Sequence, residues 1–129
     1  MYTQKVLNIF KNPAHVGRIM RPDGVGEIGN AKCGDIMKMY LRVNSDDIIE
    51  DAKFQTFGCA AAIASTSVAC DLIIGKHIDE ALKLTNQDVL EVLGELPQPK
   101  IHCSLLAEQV IRAAVENYIK NRDKYTNKQ

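Results

Sequence analysis

Residues 37–57 read MKMYLRVNSDDIIEDAKFQTF, and this stretch decides the fold. Its first part alternates apolar and more polar residues, the period-2 pattern of a strand with one buried face; the apolar positions are Met37, Met39, Leu41 and Val43. The following Asn44-Ser-Asp-Asp47 supplies turn residues, and residues 48–57 alternate again, less regularly. The stretch therefore predicts a β-hairpin, and a third strand is expected around residues 25–31.

From residue 60 onward the apolar spacing becomes that of helices. A first helix is expected to end at Gly75 and a short one to cover residues 78–84. A third helix is capped by the box-like Thr85-x-x-Asp88 and ended by Gly94, and the longest follows the proline segment 97–99. Consecutive strands followed by consecutive helices predict an α+β sandwich, an antiparallel sheet with helices on one face.

Length and charge exclude several classes of protein. The chain has 129 residues, close to the usual size of one domain, so we predict a single domain over residues 1–129 with a mobile or loosely docked arm at about 1–22 and a frayed tail at about 121–129. Sixteen basic residues balance sixteen acidic ones, which disfavours binding to nucleic acid or to a membrane surface. The longest nearly apolar stretch, 58–74, is shorter than the roughly 20 residues that a bilayer requires. The first ten residues show no secretory signal, so we predict a cytoplasmic protein with reduced thiols.

Three of the four cysteines have unusual surroundings, although no C-x-x-C pair occurs. Cys33 is flanked by glycines, which indicates a loop, with Asp35 two residues later. Cys59 and Cys103 each lie where a helix is expected to begin. The backbone N–H groups and the dipole at a helix N-terminus favour the thiolate form. These three cysteines are therefore predicted to be the reactive ones.

Cys70 differs from the other three. If it shares a helix with Cys59, their offset places them about 16 Å apart along the axis at ~1.5 Å per residue, too far for one metal centre. It also belongs to a stripe with the spacing of a buried helix face, namely Ile63, Ser67, Cys70 and Ile74. We therefore predict that Cys70 is a core residue.

The predicted donors form a mixed set, because Asp35 and His102 lie beside two of the three cysteines. Three thiolates with an oxygen or nitrogen donor suit zinc or an iron-sulfur cluster, and softness alone does not separate the two. Asp35 has an alternative role in turn chemistry and His102 one as a helix-start residue. His15 and His77 lack such neighbours and are predicted to be solvated surface residues.

Several segments of the chain also match a known family. They are Asn12-Pro13 with Val16-Gly17, Asp23-Gly-Val-Gly-Glu-Ile-Gly-Asn30, Cys33-Gly-Asp35, Phe57-Gly-Cys59, Ala62-Ile-Ala-Ser65, and His102-Cys-Ser104 with Leu106-Ala-Glu108. Because they run from about residue 5 to residue 120 and keep three cysteine motifs in order, the chain resembles the IscU/NifU-type iron-sulfur cluster assembly scaffolds.

This resemblance implies a three-stranded antiparallel sheet with helices packed on one face, an α/β sandwich shared with SufE-like proteins. It implies a scaffold rather than an enzyme, one that binds iron, accepts persulfide sulfur from a cysteine desulfurase, and passes a labile [2Fe-2S] cluster to acceptor apoproteins. By motif, the implied cluster ligands are Cys33, Cys59 and Cys103, with Asp35 or His102 as the fourth. Cys103 is the implied persulfide acceptor, and Asp35 is associated with cluster lability.

Two further expectations concern partners and a rival reading. Hsp70-assisted members carry a Leu-Pro-Pro-Val-Lys loop, which here reads Leu96-Pro-Gln-Pro-Lys100, so handover by such a chaperone stays open. One chain lacks a complete set of four thiolates, so a homodimer bridged by the cluster is expected, with a cluster held on one subunit through Asp35 or His102 as the alternative. The alternative is a zinc-binding sulfur-transfer protein of the same fold, although such relatives carry an insertion not seen across the 44 positions that separate Cys103 from Cys59. Zinc is also an expected occupant of the site in the apoprotein.

Overall fold

The sheet and helices follow one another in the predicted order. The computed structural model describes residues 3–30, 35–57, 60–94 and 101–127, with the backbone alone for residues 30, 35, 57, 102 and 124–127. Within these ranges the elements are α1 Gln4–Lys11, β1 Gly24–Asn30, β2 Asp35–Val43, β3 Ile49–Phe57, α2 Ala60–Ile73, α3 Ile78–Leu82, α4 Asn86–Leu93 and α5 His102–Asn127. The strands form one antiparallel sheet in the order β1-β2-β3, so the α+β prediction is confirmed.

The alternating pattern of β2 defines the two faces of the sheet. Met37, Met39 and Leu41 are fully buried, and the last two lie opposite Phe54 and Ala52 of β3. The turn between the strands is held by Asn44, whose side-chain oxygen accepts the N–H groups of Asp46 at 2.9 Å and Ile48 at 3.0 Å. The predicted hairpin is therefore present, with its apolar face directed toward the helices.

Helix α2 lies inside the molecule. Ten of its fourteen residues are buried, which is typical of a helix surrounded by other elements. It ends just before Gly75, whose φ of +89° is the left-handed conformation of a helix stop, as predicted. Cys70 is 0% exposed and belongs to the core cluster, which confirms its predicted role.

The two short helices are fixed by local capping. The ring nitrogen Nδ1 of His77 accepts the N–H of Asp79 at 3.0 Å at the start of α3. That helix ends at Leu82, two residues before the predicted end. At the start of α4, the backbone N–H of Thr85 donates to the Asp88 carboxylate at 2.9 Å, and Gly94 with φ +90° follows its end, as predicted.

The N-terminal arm is more closely held than the sequence suggested. Thr3 caps α1, and Val6 is fully buried in the core. Beyond α1 the chain pairs with β3, since the Phe54 N–H donates to the His15 carbonyl and the Gly17 N–H donates to the Phe54 carbonyl, both at 2.9 Å. In this structure the arm is therefore docked along β3.

The C-terminal segment also differs from expectation. The predicted frayed tail from residue 121 continues the helix, and α5 extends to Asn127. The Arg122 guanidinium donates to the Asp47 carboxylate at 2.8 Å, a partner 75 residues away that sequence spacing does not reveal. Long-range contact therefore supports helix in a segment that is almost entirely polar. No helix in the described part of the chain is both long and apolar enough to cross a membrane.

Candidate functional site

The strand register brings several chain ends to one end of the sheet. Asn30, the last residue of β1, pairs with Asp35, the first residue of β2. Ile36 pairs in turn with Phe57, the last residue of β3. Helix α2 begins three residues after Phe57, at Ala60. The segments that contain Cys33 and Cys59 therefore begin and end at this end of the sheet.

Helix α5 packs directly on β1 through two glycines. A Cβ atom on Gly24 would lie 2.6 Å from the Ala114 carbonyl oxygen, and one on Gly26 would lie 2.4 Å from the Ala114 nitrogen. Both distances are shorter than any tolerable contact, so only glycine permits this approach. Glycine within a strand commonly marks such a close approach of another backbone, a signal already present in the Gly24-Val-Gly26 sequence.

The same contacts give the direction of α5. Gly24 faces the region of Ala114 and Tyr118, whereas Gly26, two residues along β1, faces Val110 and Ala114. Helix and strand are thus antiparallel. From Gly24 to Asn30 the strand covers about 20 Å at ~3.3 Å per residue, and from Tyr118 back to Cys103 the helix covers about 22 Å at ~1.5 Å per residue. The first turn of α5 is therefore level with the Asn30 end of the sheet.

Cys103 is the second residue of α5 and is fully buried. The turn around it is tightly bonded, because the Ile101 carbonyl accepts both the Ser104 N–H at 3.0 Å and the Ser104 hydroxyl at 2.7 Å. Ser104 is itself buried, so this local pair satisfies its hydroxyl. A rigid first turn thus carries the thiol at the end of the sheet where the strands meet.

The structure describes the other predicted site residues only in part. Cys33 and Cys59 lie outside the described residues. Asp35 and His102 are described by their backbones alone, the first at the start of β2 and the second at the start of α5. Among the described residues no three histidine, cysteine, aspartate or glutamate side chains gather at one point. The ligand set therefore remains a prediction.

Cys70 is the eleventh residue of α2. It therefore lies away from this end of the sheet along the axis of the helix. Burial in the core, reinforced by the neighbouring Asp71 carboxylate, raises the pKa of its thiol far above the usual range. A thiol that stays protonated is a poor nucleophile and a poor metal ligand. The structure therefore gives Cys70 the core role that its spacing predicts.

The prediction that His15 is a solvated surface residue is wrong. Its Nε2 atom lies 2.6 Å from the Asp71 carboxylate, and its side chain is only 22% exposed. Beside it, the Ser67 hydroxyl donates to the Ala14 carbonyl at 3.1 Å. His15 thus fastens the N-terminal arm to α2. The sequence held no signal for this contact, because the two residues are 56 positions apart.

Comparison with known proteins places the chain in a family. The NifU-like N-terminal domain family matches residues 1–125, so the chain belongs to that family. The iron-sulfur cluster assembly scaffold protein IscU 1 of Archaeoglobus fulgidus is 52% identical over 124 residues, covering 96% of this chain and 80% of the relative. The scaffold protein IscU of Escherichia coli is 46% identical over 125 residues, covering 95% and 97% respectively.

Solved structures agree with the fold. The crystal structure of the SUF-system protein FiSufU from Fervidobacterium islandicum AW-1 superimposes with a TM-score of 0.77 at 27% identity, covering 88% of this chain and 96% of that one. The resemblance seen in the cysteine motifs is thereby confirmed at the level of both family and fold.

Proposed function

We propose that this protein is a scaffold on which an iron-sulfur cluster is assembled and from which the cluster is transferred. The observation that carries the proposal is the identity of 52% and 46%, over almost the whole chain, with two proteins named as such scaffolds. The end of the sheet where β1, β2, β3 and α5 meet is the assembly site. The protein acts as a carrier rather than as an enzyme, and residues 1–129 act as one cytoplasmic domain.

The cluster is held by Cys33, Cys59 and Cys103. Cys33 is three residues from Asn30 and two from Asp35, and Cys59 is two residues from Phe57 and one from Ala60. Because each residue adds at most about 3.6 Å, chain connectivity keeps these cysteines within roughly 11 Å of the paired strand ends. Three thiolates are the soft donors that iron-sulfur clusters prefer. Asp35 or His102 is the fourth ligand in a single chain.

Cys103 is the residue that accepts sulfur. Its thiolate attacks the outer sulfur of the persulfide on a cysteine desulfurase; the S–S bond of the donor breaks, a new S–S bond forms on Cys103, and the donor thiolate leaves. Reduction of that sulfur to cluster sulfide takes two electrons from an external electron-donor protein. Since Cys103 is fully buried, transfer requires the surroundings of the first turn of α5 to open when the desulfurase binds.

The completed cluster is a labile [2Fe-2S] cluster, and acceptor apoproteins receive it. A carboxylate such as Asp35 is a hard donor at a soft-metal site, which favours release over retention. A second copy of the chain is an alternative source of the missing ligand, so we infer that the cluster-bound form is a homodimer. Neither nucleic acid nor a membrane is a partner in this proposal. Handover by an Hsp70-type chaperone stays open, because residues 95–100 lie outside the described residues.

Anaerobic reconstitution tests this function directly. The apoprotein is incubated with ferrous iron and either sulfide or a cysteine desulfurase with cysteine, then examined by visible absorption, metal analysis and light scattering. We expect a [2Fe-2S] spectrum, loss of the cluster to an apo-ferredoxin, and a dimeric mass. Tight retention of zinc with no cluster formed would contradict the scaffold function and favour the zinc-binding sulfur-transfer alternative. A monomeric mass with two irons per chain would contradict only the homodimer.

A further inference from the structure

Asp47 binds two side chains of α5 at the end of the sheet opposite Cys103. It lies in the β2–β3 turn with φ +62°, and its carboxylate accepts the Tyr118 hydroxyl at 2.5 Å and the Arg122 guanidinium at 2.8 Å. The guanidinium also lies over the Tyr118 ring, 5.8 Å from its centre. We call this group the Asp47 clamp: Asp47, Tyr118 and Arg122. A charge-assisted pair with a second hydrogen bond is a directional contact.

This directional contact is important because α5 packs on β1 without interlocking side chains at the two glycines. Gly24 and Gly26 present no side chains to the helix, so backbone meets backbone over this contact. Over this contact the hydrophobic effect favours burial without fixing a register, so the position of α5 depends on its side chains in the core, such as Ile111 and Val115, and on polar contacts. Polar contacts that depend on register lie farther along the helix, where the Asn117 side chain accepts the Val25 N–H at 3.0 Å and the Asp47 clamp follows.

A shift of α5 would be felt at its first turn. The helix is continuous from His102 to Asn127, so axial sliding or rotation of its C-terminal half is carried to Cys103. A slip of one residue moves a helical position by about 1.5 Å and turns it by about 100°. For a thiol with no exposed surface, a movement of that size is enough to change its access to a partner.

We propose that Asp47 is a positioning residue that keeps α5 in register on β1 and thereby keeps Cys103 buried at the strand ends. Its functional meaning rests on the proposed role of Cys103 as sulfur acceptor. The Asp47 clamp holds the helix at one end so that the thiol at the other end is presented in one orientation. Loss of the carboxylate releases the first turn of α5 without unfolding the core around Cys70.

The test compares two buried thiols in the same molecule. Asp47→Gly removes both acceptor oxygens while suiting the left-handed backbone at that position. The full-length apoprotein and the variant are alkylated with iodoacetamide under native conditions, and Cys103 and Cys70 are followed separately by peptide mass spectrometry. We expect alkylation of Cys103 to become about tenfold faster, equivalent to about 1.4 kcal/mol and close to the lower end of the range for a hydrogen bond to a charged group, with the Cys70 rate unchanged.

Matched variants separate positioning from general stability. Asp46→Gly makes the same change one residue earlier, at an exposed aspartate of the same turn, and should leave both rates unchanged. Tyr118→Phe removes one of the two contacts and should accelerate Cys103 by a smaller factor. Equal acceleration of both cysteines in Asp47→Gly would show global destabilisation and overturn the proposal, as would no change at Cys103. Because the readout uses apoprotein, it stands or fails independently of cluster reconstitution.

Discussion

Cys70 and Cys103 are both fully buried cysteines in helices, yet their surroundings differ in kind. Cys70 is the eleventh residue of α2, within the core cluster, where burial raises the pKa of the thiol. Cys103 is the second residue of α5, in the first turn, where the dipole of a helix favours the thiolate form. Burial alone therefore does not separate the cysteine that we propose as sulfur acceptor from the cysteine of the core. The two cysteines differ instead in their position within the helix and in their position along the length of the sheet.

The largest expected effect is on cluster binding. Cys103→Ser removes a soft donor at the site, so reconstitution with iron and sulfide should yield no stable cluster by visible absorption. Cys70→Ser is the control, since it removes a buried thiol outside the site and should retain the cluster. Loss of the cluster in the Cys70 variant, with retention in the Cys103 variant, would contradict the assignment of Cys103 to the site and of Cys70 to the core.

A second test displaces the helix that carries Cys103 while leaving Cys70 in place. Gly26→Ala would put a Cβ atom 2.4 Å from the Ala114 nitrogen, so α5 must move away from β1. We expect the free energy of unfolding in urea to fall by about 3 kcal/mol, the upper range for overpacking. The control is Gly75→Ala, where φ is +89° but the added atom meets open space, and the expected loss is about 1 kcal/mol. Equal losses would mean that the close packing of α5 on β1 is unimportant.

A third test concerns release of the cluster. Asp35→Ala removes the hard donor that we assign beside the three thiolates, so transfer to an apo-ferredoxin should slow several-fold while cluster formation is retained. Transfer is followed by circular dichroism of donor and acceptor. Glu27→Ala, on the neighbouring strand β1 and exposed, is the control for a lost carboxylate. An unaltered rate of cluster transfer in Asp35→Ala would mean that Asp35 is only a turn residue.

The smallest effect is a pH dependence at the clamp end of α5. Burial, together with the hydrogen bond to Asp47, raises the pKa of Tyr118 to about 12 from a usual value of 10.0. The folded state then keeps a proton that the unfolded chain loses between these values, so this contribution is complete below pH 10 and declines as the pH approaches 12. The free energy of unfolding in urea should fall less from pH 9 to pH 11 in Tyr118→Phe than in the unaltered protein. Identical losses would contradict the shift.

Local patterns predicted most of the fold. The alternation from Met37 to Val43 and the stops at Gly75 and Gly94 depend on residues close in sequence, and each appears in the structure as expected. The errors came from contacts between distant residues. His15 binds Asp71 across 56 positions, and Arg122 binds Asp47 across 75, so neither contact leaves a periodic trace.

The candidate site was less predictable from the sequence than the fold. Spacing identified Cys70 as core, and its burial confirms this. The choice of Cys33, Cys59 and Cys103 came from motifs and helix starts, and it stays a prediction. The register of the strands adds that the segments containing Cys33 and Cys59 begin at one end of the sheet, which spacing alone does not indicate. The identity of the fourth ligand depends on side-chain geometry, which no sequence pattern near Asp35 or His102 encodes.

The docked N-terminal arm has a consequence for self-association. Phe54 would otherwise present an unpaired N–H and carbonyl along the outer side of β3, and His15 and Gly17 occupy both. An exposed strand edge is a template on which another chain can add a strand. By covering the edge at Phe54, residues 15–17 hinder the addition of a strand from another chain at this point. A chain shortened from its N-terminus past Gly17 would expose this edge of β3 and lose α1, while keeping the three strands, helices α2 to α5 and every cysteine.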